Sequence, residues 1–495
     1  MSGTWVRRIQ AVGAGLAMAL ALPGPGWFLL VLVVPGLLRR ALAGARGWAA
    51  FRTGWLAGFA QWLVAVAWVY IVLHRYGRLA APLAVIAVGV MAAILALGWG
   101  LVGWLTSLTP ERRHPWLLPL ALTSFELVQH LPPWIFPWNP AAAVATAWPV
   151  LLAPAPLVTA AGISLLLYLA GGALDALLDR SLRRAGAVQL AATVAAFAIA
   201  ALAAPAFRPT GPPVPVAALQ PNVPLEMRWD AANVAEIEGR VWRLTAEAAA
   251  GGARWIVWPE SAVPANVEAN GLYRARIERT ARSEGVWLLV GSIGHGAADE
   301  YFNSVHAATP AGLVPWRYDK VHLVPFGEYL PLAVRWVLPH ALVREVGAFT
   351  PGRHTLPLPS PAGPAGVAVC YEVAYPGLYA AEVGNGATVL ATITNDGWYG
   401  DSAAPRQHLA LAVLRAAENR RYLVRAANTG ISAVVDPAGR VVARLAFGRQ
   451  GFVRAEVVPG TGVTPATAHG RAIRLGILGC AAAAILWGAR RRARA

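Results

Sequence analysis

From about residue 9 to residue 205 the chain is a succession of long apolar runs separated by short links, and few charges interrupt them. A bilayer core about 30 Å thick calls for roughly 20 apolar residues per spanning helix. Candidate spans lie at 9–22, 26–38, 52–73, 79–107, 115–131, 154–178 and 186–205, and an eighth near the end at 472–488. The first two meet at Pro23-Gly24-Pro25-Gly26, so they form either a tight helical hairpin or one broken segment. A cleaved leader competes for the first 25 residues, because Arg7 and Arg8 precede an apolar stretch. No small-residue cleavage site follows and further spans come directly after, which favours a retained helix.

Composition agrees. Hydrophobic residues make up 57% and charged residues 14%, where soluble domains are about half apolar and a quarter charged. The formal net charge of +17 raises the question of nucleic acid. The arginines, however, gather at the ends of apolar segments rather than along one polar face, so no nucleic-acid partner is expected. They read as topology signals. With eight spans and a cytoplasmic N-terminus, Arg7/Arg8, Arg39/Arg40/Arg46/Arg52, Arg112/Arg113, Arg180/Arg183/Arg184 and the arginines after residue 489 all fall inside. The opposite short loops carry Arg75 and Arg78. Seven spans would break this pattern. The expected organisation is a bundle over 1–208, an extracytoplasmic domain over 209–470, and a final span with an arginine-rich cytoplasmic tail over 471–495.

Over 209–470 charges return to ordinary density. Strand-like runs are expected at 214–219, 255–257, 287–291, 366–369, 389–392 and 432–435. The last pairs with 441–445 across Asp436-Pro437-Ala438-Gly439. Helical patterns fill 231–250, 271–284 and 405–426. Alternating strands and helices argue an α/β layered domain.

This domain also holds Lys320, the single lysine of the sequence. Its compact ammonium cannot be replaced by the flat arginine fork in a tight pocket. Two apolar strands end on reactive side chains: Arg254-Trp255-Ile256-Val257-Trp258-Pro259-Glu260 on a carboxylate, Gly366-Val367-Ala368-Val369-Cys370-Tyr371-Glu372 on a thiol. Strand ends are where α/β sheets gather reactive groups. A thiol needs a base to act as nucleophile, and a nearby cation steadies a developing oxyanion. Glu260 can be that base and Lys320 that cation. A thiol–histidine pair through His322 is the runner-up, though His322 reads equally as a hydrogen-bonded structural residue. Cys480 reads as packing in the last span. Two cysteines make no disulfide framework, and no Cys/His cluster has zinc-like spacing, so neither metal nor cofactor is expected.

The Glu…Lys…Cys order, the Trp-Pro-Glu turn and the Cys-Tyr-Glu elbow resemble the nitrilase, or carbon–nitrogen hydrolase, superfamily. The apolar N-terminal bundle narrows the likeness, as do Leu219-Gln220-Pro221-Asn222, the block Lys320-Val321-His322-Leu323-Val324-Pro325-Phe326-Gly327-Glu328-Tyr329, and Asn395-Asp396-Gly397-Trp398-Tyr399-Gly400. Together they resemble the bacterial apolipoprotein N-acyltransferases over essentially the whole chain. The resemblance implies a nitrilase-like αββα sandwich inserted between polytopic transmembrane helices (about eight spans), on the periplasmic face of the bacterial inner membrane. It implies Glu260 as general base, Lys320 as stabiliser of the tetrahedral intermediate and Cys370 as the acylated nucleophile. Glu328 matches a second essential carboxylate. Tyr371, Glu372 and Trp398 match positions near the nucleophile, and Trp229 a loop tryptophan. Packing competes for the tryptophans and a turn role for Tyr371.

The implied reaction is ping-pong. A fatty acyl chain passes from a phospholipid, phosphatidylethanolamine being the expected donor, to Cys370. It passes next to the α-amino group of an S-diacylglyceryl cysteine at an apolipoprotein's N-terminus. Apolar loops at about 326–350 (Tyr329, Leu330, Trp336, Val337, Leu338) and around Trp398 are expected to cover the site and touch lipid. The closest rival is a membrane-tethered amidase or nitrilase hydrolysing a soluble C–N bond with the same three residues. A transporter or scaffold with a dead outer domain is disfavoured, because few ionisable groups lie within the spans; Glu126 and Asp175, near span ends, are the exceptions.

Overall fold

The computed structural model describes residues 3–131, 136–228, 231–262, 266–297, 300–325, 327–329 and 349–493. The chain separates into two units, one comprising Met1–Pro205, Ser402–Ala410 and Thr464–Ala495, the other Ala206–Asp401 and Leu411–Val463.

The first unit is helical: α1 (Gly3–Ala21), α2 (Val34–Leu42), α3 (Gly47–Ala65), α4 (Ala81–Ser107), α5 (His114–Val128), α6 (Ala155–Leu178), α7 (Arg183–Ala203) and a closing helix, Pro465–Ala493. Among the described residues four helices are long and apolar enough to cross a membrane: α4, α6, α7 and the closing helix. A fifth follows if Gly47–Ala65 and Val69–Tyr76, bent by 58° at a short break, count as one. By length and composition, four or five helices among the described residues could cross a membrane, which does not confirm the eight expected. The second expected span, 26–38, divides into a 3-10 turn at Phe28–Val33 and α2, which starts with Pro35 in its first turn. Proline suits that place because its missing N–H would have no helical partner there. Small residues let helices meet backbone to backbone: a Cβ on Gly54 would lie 2.2 Å from Trp99 O, and one on Gly58 2.7 Å from Trp99 Cβ. The exceptional carboxylates are partnered. Asp175 binds Arg39 and Arg40, and Glu126 accepts from Tyr168 Oη at 2.9 Å and Ala141 N at 3.0 Å.

The second unit contains two six-stranded sheets. The first uses β1 (Val214–Gln220), β2 (Trp255–Val257), β3 (Trp287–His295), β4 (Tyr301–Thr309), β5 (Gly312–Asp319) and, at its far edge, Gly451–Val457. Its order is that last strand, then β1-β2-β3-β4-β5, with β1, β2 and β3 parallel and the rest antiparallel. The second uses β6 (Leu358–Ser360), β7 (Gly363–Val369), β8 (Val389–Thr394), β9 (Leu423–Ala427), β10 (Ser432–Val435) and β11 (Val441–Leu445), which neighbour one another in that order. Here β7, β8 and β9 are parallel.

Alternation along β1 explains the layering. Val216 and Ala218 join Val367, Val369, Ala391, Ile393 and Val424 in the core between the sheets. Ala217 and Leu219 face the other way, into a second core with α8 (Val234–Ala250) and α9 (Gly271–Ser283). A strand buried on both faces reads as an unbroken apolar run. Beside the second sheet, α10 (Pro376–Gly384) packs through Tyr379, whose hydroxyl donates to Ala391 O at 2.7 Å. This is a nitrilase-like α/β fold.

The expected helix at 405–426 is a correction. Helix α11 (Ala404–Asn419) stops where Arg420 takes φ +50°, and 423–427 is β9, buried throughout. A short apolar run does not distinguish strand from helix by periodicity.

Candidate active site

Each reactive side chain sits where a strand ends. β2 runs into the Trp258-Pro259-Glu260 turn, and Trp258 is consumed by packing, edge-on to Trp242 at 4.9 Å. The turn approaches β3 so closely that a Cβ on Gly291 would lie 2.4 Å from Pro259 O. β5 ends at Asp319, and Lys320 is pinned on both sides: its N donates to Asn303 O at 2.9 Å and its O accepts from Gly352 N at 2.7 Å. β7 delivers Cys370 at φ +56°. A side chain in that left-handed region costs roughly 1–2 kcal/mol, strain typical of reactive positions.

Lys320 is 1% exposed. Its Nζ lies 2.9 Å from Glu328 Oε1, 2.8 Å from Glu328 Oε2 and 3.8 Å from Glu260 Oε1. Burial alone would push its ammonium down, but Glu328, Glu260 and Cys370 more than offset this and hold it above its ordinary value. Burial pushes the Cys370 thiol up to about 12, with Glu260 adding to the rise and Lys320 opposing it. The resting sulfur is therefore a thiol at neutral pH. Thr394 and Tyr399 hydrogen-bond to it.

Glu372 ties the lysine segment to the cysteine turn. Its Oε1 accepts from Val321 N (2.7 Å) and His322 N (2.9 Å), and its Oε2 from Tyr318 Oη (2.9 Å) and Val369 N (2.7 Å). Burial pushes this carboxyl up to about 7 against the pull of those donors. Below β8, Asp396 forms a fully buried pair with Arg425 at 2.6 Å.

The structure thus brings together Glu260, Lys320, Cys370, Glu328 and Glu372. Tyr371 is buried and lies edge-on to Tyr375 at 5.6 Å; Trp398 is half-buried in the turn after β8. The His322 ring stacks on Tyr375 at 4.0 Å, and the charged groups acting on the thiol are Glu260, Lys320 and Asp396. Trp229 lies outside the described residues, as do Phe326, Leu330, Trp336, Val337 and Leu338 of the expected cover. Asn303, Thr394 and Tyr399 were not expected. Tyr399 belongs to a motif already marked; Asn303 and Thr394 are single polar residues in strands, which give no signal of their own.

Comparison with known proteins follows the same division of the chain. Residues 215–463 match the carbon–nitrogen hydrolase family and residues 14–173 the apolipoprotein N-acyltransferase N-terminal domain. An apolipoprotein N-acyltransferase from Geobacter metallireducens is 32% identical over 92% of this chain and 90% of its own. One from Azotobacter vinelandii is 33% identical over 93% and 91%. Among solved structures, an amidase from Nesterenkonia sp. is 24% identical, covers 51% of this chain and 92% of its own, and has a TM-score of 0.38.

Proposed function

This chain belongs to the apolipoprotein N-acyltransferases, and from that premise we propose that Cys370, Glu260 and Lys320 carry a two-step transfer of a fatty acyl chain from a phospholipid to the N-terminal amine of a diacylglyceryl apolipoprotein. The observation that carries the assignment is the strained Cys370 turn facing a buried ammonium held between two carboxylates.

Because the thiol is protonated at rest, its proton leaves as the sulfur attacks. Sγ bonds to the ester carbonyl carbon, the proton passes to Glu260, and the oxyanion forms beside Lys320. The carbon–oxygen ester bond then breaks, and Glu260 returns the proton to the departing lysophospholipid. In the second half the α-amine attacks the thioester carbonyl and gives its proton to Glu260. The carbon–sulfur bond breaks, and the sulfur recovers a proton. Glu328 keeps Lys320 charged through both halves, and Glu372 fixes the spacing of Lys320 and Cys370. Water must stay out while the thioester exists; the apolar segment at 326–350 and Trp398 are assigned to that cover and to lipid contact, and Trp229 to substrate binding.

The reading includes phosphatidylethanolamine as donor, eight crossings of the inner membrane, cytoplasmic termini and a periplasmic catalytic domain. The arginine distribution supports the topology. The test is to incubate the purified protein in detergent micelles with acyl-labelled phospholipid and to seek the acyl mass on the Cys370 peptide. Addition of a diacylglyceryl peptide with a free amine should then discharge it. A stable protein that acquires no acyl group, or loses it only to water, would sink the assignment.

A further inference from the structure

Asn303 lies in β4, 4% exposed, and touches three residues of the site, Glu260, Glu328 and Lys320. Its Nδ2 donates to Glu260 Oε1 at 2.8 Å and to Glu328 Oε1 at 2.9 Å, and its main-chain carbonyl accepts from Lys320 N at 2.9 Å. Its Oδ1 is buried with no partner among the described residues. Buried polar atoms seldom go unsatisfied. Turning the amide over would set that oxygen against both carboxylates, so the donor orientation holds at the cost of an orphaned acceptor.

The two carboxylates are not equally served. Glu328 takes the Lys320 ammonium through both oxygens, a third donor from Val324 N at 2.8 Å, and Asn303. Glu260 accepts one hydrogen bond among the described residues, the one from Asn303, and stands 3.8 Å from Lys320. We propose that Asn303 is a positioning residue that divides the labour of the two carboxylates, giving Glu260 a donor of its own so that Glu260 serves as base while Glu328 neutralises Lys320. The inference rests on the role given to Glu260 above.

Removing the amide takes from Glu260 its one neutral donor, and a buried carboxylate without a donor keeps its proton to higher pH. Glu328 retains Lys320 and Val324 N. The consequence falls on the acid limb of thioester formation. The experiment follows the rate of Cys370 acylation by phospholipid in micelles from pH 5 to 9, using the full-length wild type, Asn303→Ala and Asn303→Asp.

In Asn303→Ala the limb should move up by about one pH unit, with the high-pH rate largely restored. In Asn303→Asp, which keeps the shape and adds a third carboxylate, it should move further. A uniform fall at every pH with the limb in place would reduce Asn303 to a structural residue and overturn the proposal; so would an unchanged profile. If the alanine variant fails to fold, the isosteric aspartate decides by the same criterion. A wild type that forms no thioester at Cys370 removes the acyl-enzyme reading and this inference with it, whereas acylation with an unmoved limb removes the inference alone.

Discussion

Lys320 and Glu328 form a buried ion pair, with 2.8 Å between Nζ and Oε2 and the two side chains 1% and 12% exposed. Breaking a buried pair leaves a bare charge and typically costs about 3–5 kcal/mol. Glu328→Gln should therefore lower the unfolding temperature of the purified protein and cut acyl transfer by about a hundredfold. Glu260→Gln, whose link to Lys320 is 3.8 Å, should abolish transfer with little change in stability. Thermal unfolding beside a transfer assay separates them, and equal loss of stability in both variants would contradict the asymmetry.

The thiol gives a pH prediction with opposite signs. Burial and then the Glu260 carboxylate raise the Cys370 value to about 12, and Lys320 lowers it. Removing the negative neighbour in Glu260→Gln should bring the alkylation limb of Cys370 to lower pH, although acyl transfer stops. Removing the cation in Lys320→Ala should move it higher. Iodoacetamide labelling across pH reads both, and a shift of the same sign in the two variants would refute the account.

Two inactive variants should differ in stability. Cys370 has φ +56°, a conformation glycine adopts freely and alanine does not. Cys370→Gly should exceed Cys370→Ala by about 1 kcal/mol in unfolding free energy, compared in the same detergent. The reverse order would mean the turn relaxes when the sulfur is gone.

Gly352 is a remote control on the lysine. A Cβ there would lie 2.0 Å from Asp319 O, and Gly352 N already holds Lys320 O. Gly352→Ala should displace Lys320 and lower thioester formation at least about tenfold, leaving the iodoacetamide reactivity of Cys370 measurable. Wild-type rates in that variant would show that the segment yields without cost.

Arg421 has no carboxylate partner among its described contacts; its guanidinium donates to Ala387 O, Asn419 O, Arg420 O, Thr461 O and Gly462 O. Arg421→Met would leave several of those acceptors unpaired, at about 1–3 kcal/mol for each one that stays buried. Limited proteolysis should then cut near residue 461 in the variant and not in the wild type. Equal resistance would mean that the carbonyls find other donors.

The chemistry was legible where apolar strands end abruptly on a carboxylate or a thiol, as β2 does before Glu260 and β7 before Cys370. Much of the first sheet was not. Over β4, Asn303, Ser304 and His306 are buried polar residues that hide the strand. The strand β9 follows a helix so closely that its apolar run looked like the helix continuing. The Asp396–Arg425 pair joins the turn after β8 to the neighbouring strand β9, between residues 29 apart, a contact no local pattern announces. In the membrane unit the arginines suggested eight crossings, while α2 and α5, at 9 and 15 residues, are shorter than a bilayer needs.

The solitary side-chain amine of the protein lies buried, 1% exposed. Amine-directed cross-linkers, acylating dyes and the enzymes that tag lysines meet no competing lysine on the surface of the folded molecule. Any such label recovered at position 320 would therefore time-stamp an opening of the structure around Lys320, turning an ordinary bioconjugation reagent into a reporter of breathing.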